Sequence, residues 1–277
     1  MIRKSFRRRW VYPLLSLLMV VGISVGQPLA SQAISIGDLI RGGIQIIQGV
    51  QLGNLSDQQE QELGAEIDRQ LTSSQVRILR DSNLTAYVDS IGQRLARNSS
   101  RPNITYTFRV VDDNSINAFA TMGGRVYVNR GLVRAADNEA QLASVIGHEI
   151  GHIAGRHAIR QMRSTAIQRG LLAAGGLDRS AAVNIGVELA LRRPNSRRDE
   201  YEADDLGLRT LSRAGYAQSE MVAFMRKLLN SRSVPTFLAT HPATSDRITR
   251  LNQMISANPS SGRDGLDASS YRARAFQ

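Results

Sequence analysis

The sequence predicts an α+β protein that is mainly helical and contains a small antiparallel sheet. Apolar residues recur at helical spacing in several long segments after residue 56. Three short segments between residues 104 and 130 instead have the composition and alternation of strands. The pair Gly123-Gly124 separates the last two of these segments, which is typical of a tight turn. Helices are therefore expected both before and after one small sheet.

The N-terminus is expected to be a signal peptide over residues 1–33. Residues 1–10 carry five basic residues and no acidic one, and residues 11–26 are almost wholly apolar. Ser31 and Ala33 then occupy the small-residue positions of a cleavage site. We therefore expect export to the periplasm or another extracytoplasmic compartment. An uncleaved anchor is the alternative, although the apolar run is short for a membrane span.

The composition restricts the chemistry and the partners of the chain. There is no cysteine, so a metal ion would need histidine or carboxylate ligands. The formal net charge is +11, and removing the five basic residues of the signal leaves 30 basic against 24 acidic residues. No basic run is interleaved with aromatic residues, which argues against nucleic acid as a partner. Association with anionic membrane surfaces is more plausible.

The first elements after the signal are an apolar segment and two helices. Residues 34–55 are apolar with glycine breaks, and we expect them to pack loosely on the domain or on a membrane. Ser56 and Gln59 form a capping box, which predicts a helix to about Leu71. A second helix is expected after Asp81.

The three predicted strands follow. The segment ITYTFRV (104–110) alternates apolar and polar residues, which indicates a half-buried strand. INAFATM (116–122) and RVYVNR (125–130) are the other two candidates.

A long helix is predicted over residues 139–159, EAQLASVIGHEIGHIAGRHAI, with Asn138 as its N-cap. The chain has four histidines, and three of them lie in this segment. His148 and His152 are four residues apart, so they project from one face of the helix and can bind the same ion. Glu149 stands beside them as a candidate base. This is the H-E-x-x-H arrangement of zinc peptidases.

The third histidine of the segment is expected to be structural. His157 lies nine residues after His148, which on a continuous helix places it on the opposite face.

The rest of the chain is predicted to be helical up to a disordered tail. Residues 158–193 suggest further helix, broken at Gly175-Gly176. Another helix should open at Ser196, and more should follow from about Gln218 and Ser245. Residues 258–277 are polar and glycine-rich, and we expect them to be disordered.

A catalytic zinc site needs a third protein ligand, for which the residues leave two candidates. Glu200 is the better one, because Asp204 lies one turn further along the same helix and can accept a hydrogen bond from a ligand histidine. The alternative is that the acidic residues only interact favourably with the dipole at the start of this helix. That role fits Asp199 and Glu202 better than it fits Glu200. His241 is the competing ligand.

His241 has several further interpretations. It precedes Pro242, so it is expected in a loop. There it could donate a hydrogen bond to a developing oxyanion. It could instead fill the open zinc position and keep the enzyme latent, or it could be a surface residue beside a helix start. Arg247 is the next candidate for the oxyanion role.

Two segments, HEIGH (148–152) and SRRDEYEADDLG (196–207), closely resemble the zinc metallopeptidase family of HtpX and the CAAX prenyl endopeptidases. Within that family, the resemblance is closest to the soluble exported members. INAFATMGGRVYVNRGLV and THPATSDRI extend the similarity over most of residues 56–257. The resemblance implies a mainly helical peptidase domain of the zincin and gluzincin type, with the H-E-x-x-H helix at its active site and one Zn²⁺ per chain.

The resemblance also implies roles for individual residues. His148, His152 and Glu200 would be the zinc ligands, Glu149 the catalytic base and Asp204 a partner of a ligand. Residues that bind the substrate backbone would be Asn117, Ala118 and Phe119.

The expected function is therefore an exported zinc-dependent endopeptidase that cleaves unfolded or misfolded proteins of the envelope or its membranes. One alternative is a zinc-binding, chaperone-like envelope protein with little proteolytic activity. Another is a structural or membrane-associated protein, which the apolar segment 34–55 would favour.

Overall fold

The computed structural model describes residues 52, 55–171, 177, 179–192, 196–231, 234–242 and 245–276. The predicted signal peptide (1–33) and nearly all of the apolar segment (34–55) lie outside these residues. Within the described part, no helix combines the length and apolarity needed to cross a membrane.

The described helices and strands agree with the predicted α+β class. In chain order, the helices are α1 (Asp57–Ser74), α2 (Ser82–Arg97), α3 (Arg130–Ala135), α4 (Glu139–Ala154), α5 (His157–Gln168), α6 (Arg179–Arg192), α7 (Arg197–Arg213), α8 (Ser219–Leu229), α9 (Thr236–Thr240), α10 (Ser245–Ala257) and α11 (Ala268–Ala275). The strands are β1 (Thr107–Val111), β2 (Ala118–Thr121) and β3 (Arg125–Asn129).

The predicted small sheet is present, but it is mixed rather than antiparallel throughout. The strand order is β1-β3-β2. β2 and β3 form the predicted antiparallel hairpin, with Ala118 opposite Val128. The other edge of β3 pairs with β1, and that pairing is parallel, with Thr107 opposite Arg125. After β1, the chain crosses to the far edge of the sheet, where it forms β2. It then turns back through the hairpin, so that β3 lies between β1 and β2.

The two edges of this sheet differ. The outer edge of β1 is covered, because Leu79 N donates to Val110 O at 2.8 Å and Asp112 N donates to Arg77 O at 2.8 Å. Among the residues that the structure describes, β2 forms a strand ladder only with β3. Its other edge is therefore open to an extended partner.

Helix α4 lies in the main core and is in backbone contact with α7. A Cβ atom on Gly151 would lie only 2.5 Å from Ala203 O, and one on Gly207 would lie 3.0 Å from Gly147 O. The absence of these side chains lets the two helix backbones approach closely. This close approach brings the motif residues of α4 next to the acidic residues of α7.

The predicted long helix over 139–159 is in fact two helices. α4 begins at the predicted cap, where Asn138 Oδ1 accepts from Gln141 N at 2.9 Å. It ends at Ala154, and Arg156 adopts a left-handed conformation with φ 55°. This residue turns the chain before α5 begins at His157.

The C-terminal tail also differs from the prediction of disorder over 258–277. It contains α11, whose Tyr271 is only 1% exposed and donates from its hydroxyl group to Val133 O at 2.5 Å. The Tyr271 ring also contacts the ring of Tyr87. One aromatic side chain therefore fixes a segment whose overall composition is polar.

Candidate metal centre

The two motif histidines lie one turn apart on α4 and converge. Their Nε2 atoms are 3.1 Å apart. His148 is 2% exposed and His152 is 6% exposed, because α4 is packed on nearly all sides. The predicted pair therefore points into an interior site.

Helix α7 contributes a carboxylate to the same point. It begins after Ser196, whose hydroxyl group accepts from Asp199 N at 3.1 Å. One turn into the helix, Glu200 Oε1 lies 3.3 Å from His152 Nε2, and Glu200 Oε2 lies 3.5 Å from His148 Nε2. The structure thus brings the favoured third ligand to the histidine pair.

The competing ligand reaches the site as well. His241 follows α9, and its ring stacks on Phe237 with centroids 4.5 Å apart. Its Nδ1 atom lies 3.1 Å from Glu200 Oε1 and 3.3 Å from His148 Nε2. We call His148, His152, Glu200 and His241 the metal cluster, since one donor atom from each lies within 4.8 Å of the others.

The donor set of the metal cluster fits zinc. Imidazole nitrogen and carboxylate oxygen are typical zinc ligands, with bonds of about 2.0–2.2 Å. Two such donors on a tetrahedral ion would be about 3.3 Å apart, by simple geometry from these bond lengths. The observed separations of adjacent donors run from 3.1 to 3.5 Å. The residues present can therefore hold this ion.

A buried ion pair lies behind the metal cluster. Asp204 Oδ1 is 3.0 Å from His148 Nδ1, as predicted for a residue that orients a ligand. Arg247 donates to both Asp204 oxygens at 2.7 Å and lies 2.6 Å from Glu200 Oε2. It is 2% exposed. Although Arg247 is a predicted candidate for an oxyanion role, its guanidinium group contacts these two carboxylates and donates to Pro242 O at 3.0 Å.

The charges of these groups depend on one another. Burial disfavours the charged form of His148, yet its bonds to Asp204 and Glu200 outweigh burial and raise its pKa to about 9. Burial lowers the pKa of His152 to about 3. Although burial opposes ionisation of Glu200, the neighbouring His241 and the other two histidines hold its pKa far below the ordinary value. The site thus keeps a buried carboxylate ionised among imidazoles.

Glu149 lines a cleft beside the metal cluster. Its side chain is 1% exposed, and its Oε1 atom is 3.4 Å from His241 Nε2. Burial raises the pKa of Glu149. The walls of the cleft are largely apolar and include Phe119, Met122, Ile153, Ile159 and Leu189.

The open edge of β2 borders this cleft, but only part of the predicted substrate-binding segment faces it. Asn117 O accepts from Asn129 N at 3.0 Å, so the backbone of Asn117 faces β3. Backbone direction alternates along an antiparallel strand. Phe119 therefore also pairs with β3, whereas Ala118 and Ala120 present their backbone groups to the open edge. The Phe119 side chain is buried and stacks on Tyr127 at 4.6 Å.

Sequence reasoning placed His157 incorrectly. The opposite-face prediction assumed one continuous helix, but the break at Arg156 returns His157 towards the site. Its Nδ1 atom lies 2.6 Å from His152 Nδ1. The signal available in the sequence was Gly155, which is a common helix terminator.

The comparisons with known proteins agree with this geometry. Peptidase family M48 matches residues 82–255 of the chain. The Beta-barrel assembly-enhancing protease of Escherichia coli (strain K12) is 35% identical over 221 residues, which cover 72% of this chain and 45% of that protein. The protein of the same name from Yersinia pestis is 32% identical over 77% of this chain and 48% of its own length.

A more distant relative is the Mitochondrial metalloendopeptidase OMA1 of Arabidopsis thaliana, which is 32% identical over 62% of this chain and 38% of its own length. The chain therefore spans about half or less of the length of these curated relatives.

Proposed function

Because the chain belongs to peptidase family M48, we propose that it is an exported zinc-dependent endopeptidase acting on unfolded or misfolded envelope proteins. The predicted zinc metallopeptidase family is confirmed by the family match. The observation that carries the proposal is the buried metal cluster beside Glu149, at the edge of an apolar cleft.

In this proposal His148, His152 and Glu200 hold one zinc ion. All three project from two helices in backbone contact, which makes their positions rigid. Three protein ligands with one open position are the usual arrangement in catalytic zinc sites. When bound, the ion supplies Lewis acidity, which lowers the pKa of a coordinated water and polarises the scissile carbonyl group.

Glu149 is the proposed general base. It takes a proton from the attacking water and delivers it to the nitrogen of the leaving amine. Burial raises the pKa of this carboxylate, which makes it a stronger proton acceptor. The backbone of Ala120 forms a hydrogen bond to Glu149, which ties the base to the open edge of β2.

The open edge of β2 supports the choice of substrate. An extended chain can add to this edge through the N–H and C=O groups of Ala118 and the C=O group of Ala120, whose N–H already donates to Glu149. Such pairing recognises extended backbone rather than a particular sequence, and unfolded proteins expose it. The signal-like residues 1–33 support export, and the basic charge that remains without them supports attraction to anionic membrane surfaces.

The test is cleavage of an unfolded protein by the purified mature chain, with and without a metal chelator. Glu149→Gln should retain one zinc per chain and lose hydrolysis, because an amide cannot accept the proton of water. Glu62→Gln, on the exposed face of α1, is the matched control and should cleave normally. Undiminished cleavage by Glu149→Gln would refute the mechanism.

The same assay separates the chaperone-like alternative. A protein of that kind would suppress aggregation of the unfolded substrate without cutting it. Glu149→Gln would leave that suppression unchanged.

A further inference from the structure

The backbone at Gly155 and Arg156 determines the position of His157. After α4 ends, the left-handed conformation of Arg156 directs the next residue back towards the helix end. A non-glycine residue in this region is uncommon and carries some strain. Gly155 leaves space for the imidazole, since a Cβ atom there would lie 2.2 Å from His157 Nε2. Two backbone features therefore place one buried ring.

The ring contacts a residue of the metal cluster. His157 Nδ1 lies 2.6 Å from His152 Nδ1, and His157 is 1% exposed. Two ring nitrogens at hydrogen-bond distance require one to carry the proton and the other to accept it.

The metal cluster determines which nitrogen donates. His152 directs Nε2 at the other donors, 3.1 Å from His148 Nε2 and 3.3 Å from Glu200 Oε1. A neutral histidine that binds a metal through Nε2 carries its proton on Nδ1. We infer that His157 is the positioning residue of His152, accepting that proton in a hydrogen bond at its own Nδ1. The inference rests on the proposed role of His152 as a ligand.

The contacts of His157 Nε2 are consistent with a hydrogen bond in which His157 Nδ1 is the acceptor. If Nδ1 accepts, the proton of His157 lies on Nε2, which faces Glu202 Oε2 at 3.4 Å and Asp199 Oδ1 at 3.9 Å. Arg160 holds these carboxylates in place, at 2.7 Å from Asp199 and 2.9 Å from Glu202. An N–H group directed at two carboxylates is electrostatically favourable.

The same atoms argue against a second metal site. His157, Asp199 and Glu202 are close enough together to hold an ion. However, the Arg160 guanidinium already lies against both carboxylates. A protonated Nε2 also has no lone pair to offer a metal. The hydrogen bond to His152 and a second metal ion are therefore mutually exclusive.

The test compares His157→Phe with His157→Asn. Phenylalanine keeps a ring and removes the acceptor. Asparagine places its amide oxygen as many bonds from Cα as Nδ1, so it can still accept the hydrogen bond. Zinc affinity, measured by competition with a chelator, should fall by about 10–100-fold in His157→Phe, the usual effect of losing a partner of a ligand histidine. His157→Asn should stay within about threefold of the wild type by the same reasoning.

Cobalt-substituted protein gives a second measurement. The visible absorption bands of bound Co²⁺ should shift in His157→Phe and recover in His157→Asn, because the bands report ligand orientation. Equal zinc affinity in all three proteins would overturn the inference. A lower melting temperature of metal-free His157→Phe with unchanged zinc affinity would also overturn it, since the role would then be only structural.

A measurement on the wild type covers the case in which His157→Phe fails to fold. In the zinc-loaded protein, nitrogen NMR should find the proton of His157 on Nε2. A proton on Nδ1, or two zinc ions per chain, would refute the inference. If the wild type does not hydrolyse unfolded protein, only the proposed function is contradicted. Zinc affinity and the tautomer of His157 are measured independently of cleavage.

Discussion

The site has two walls of opposite character. The deep wall, formed by Glu200, Asp204 and Arg247, consists of charged groups that are 1–2% exposed. The open wall is the free edge of β2 (Ala118–Thr121), where the available groups are backbone N–H and C=O. The deep wall includes one residue of the metal cluster and lies behind the others, whereas the open wall borders the cleft.

The difference indicates a division of labour between metal binding and substrate binding. Buried charges are costly unless each has its partner, so the deep wall should tolerate few changes. The open wall uses backbone groups, which most side-chain substitutions leave intact. Changes in the deep wall should therefore alter zinc affinity and stability together, whereas changes in the open wall should alter cleavage alone.

The largest effect is expected for Arg247→Leu. It leaves Asp204 and Glu200 buried without their cation, and breaking a buried ion pair typically costs about 3–5 kcal/mol. The free energy of unfolding, measured with urea, should fall by about this amount, and zinc affinity should fall with it. Arg250→Leu, on the exposed face of α10, is the matched control and should change neither. An Arg247→Leu protein with normal zinc content and stability would contradict the proposed difference between the two walls.

Next in size is the contrast between Glu200→Ala and Glu202→Ala. Removing Glu200 takes a ligand from the metal cluster, so zinc affinity should fall by more than about 100-fold, beyond the effect of losing an outer partner. Glu202 points away from the metal cluster and faces His157 Nε2 at 3.4 Å, where its side chain is 40% exposed. Its removal should change zinc affinity by less than about tenfold. Equal losses, measured by metal analysis after dialysis, would contradict the choice of third ligand.

The deep wall also shows how far sequence reasoning reaches. His148 and His152 are four residues apart, which places both on one face of α4. Glu200 and Asp204 are also four residues apart and lie on one face of α7. Such local relations follow from the helical repeat. The close contact of α4 with α7 depends on Gly151 lying against Ala203 and Gly207 against Gly147, and these pairings cannot be identified from spacing within either helix.

The misplaced features depend on relations that helical or strand periodicity does not encode. The parallel pairing of β1 with β3 follows from the path of a connection, and the position of His157 follows from one left-handed residue, Arg156. The carboxylate partners of Arg247 are more than 40 residues away in the chain. Tyr271 is buried by tertiary contacts, although its neighbours are polar. None of these relations has a periodic signature in the sequence.

The open wall can be tested with Ala118→Pro. The Ala118 N–H points away from β3, so proline should leave the hairpin paired but remove a donor for substrate. Loss of one hydrogen bond of about 0.5–1.5 kcal/mol predicts a two- to tenfold lower kcat/KM on an unfolded protein. Zinc content should not change. Ala118→Gly retains the N–H and is the control. Parallel loss of zinc and cleavage would mean that the fold had been damaged instead.

His241→Ala tests the junction of the two walls. His241 Nδ1 faces Glu200 Oε1 at 3.1 Å, and Nε2 faces Glu149 Oε1 at 3.4 Å. The ring therefore lies between a proposed ligand and the proposed base, where water and the scissile carbonyl group would need space. This position favours the latch over the oxyanion role. Zinc affinity should remain close to that of the wild type, because three ligands are left.

Cleavage by His241→Ala should rise by about two- to tenfold, as expected when a closed state that excludes substrate is no longer populated. An oxyanion donor predicts the reverse, a loss of about 10²–10³-fold in kcat. The assay is the initial rate on an unfolded protein at saturating zinc, so that a change in metal content does not enter. A rate equal to that of the wild type would assign His241 neither role, and its stacking on Phe237 would then be its main contribution to the structure.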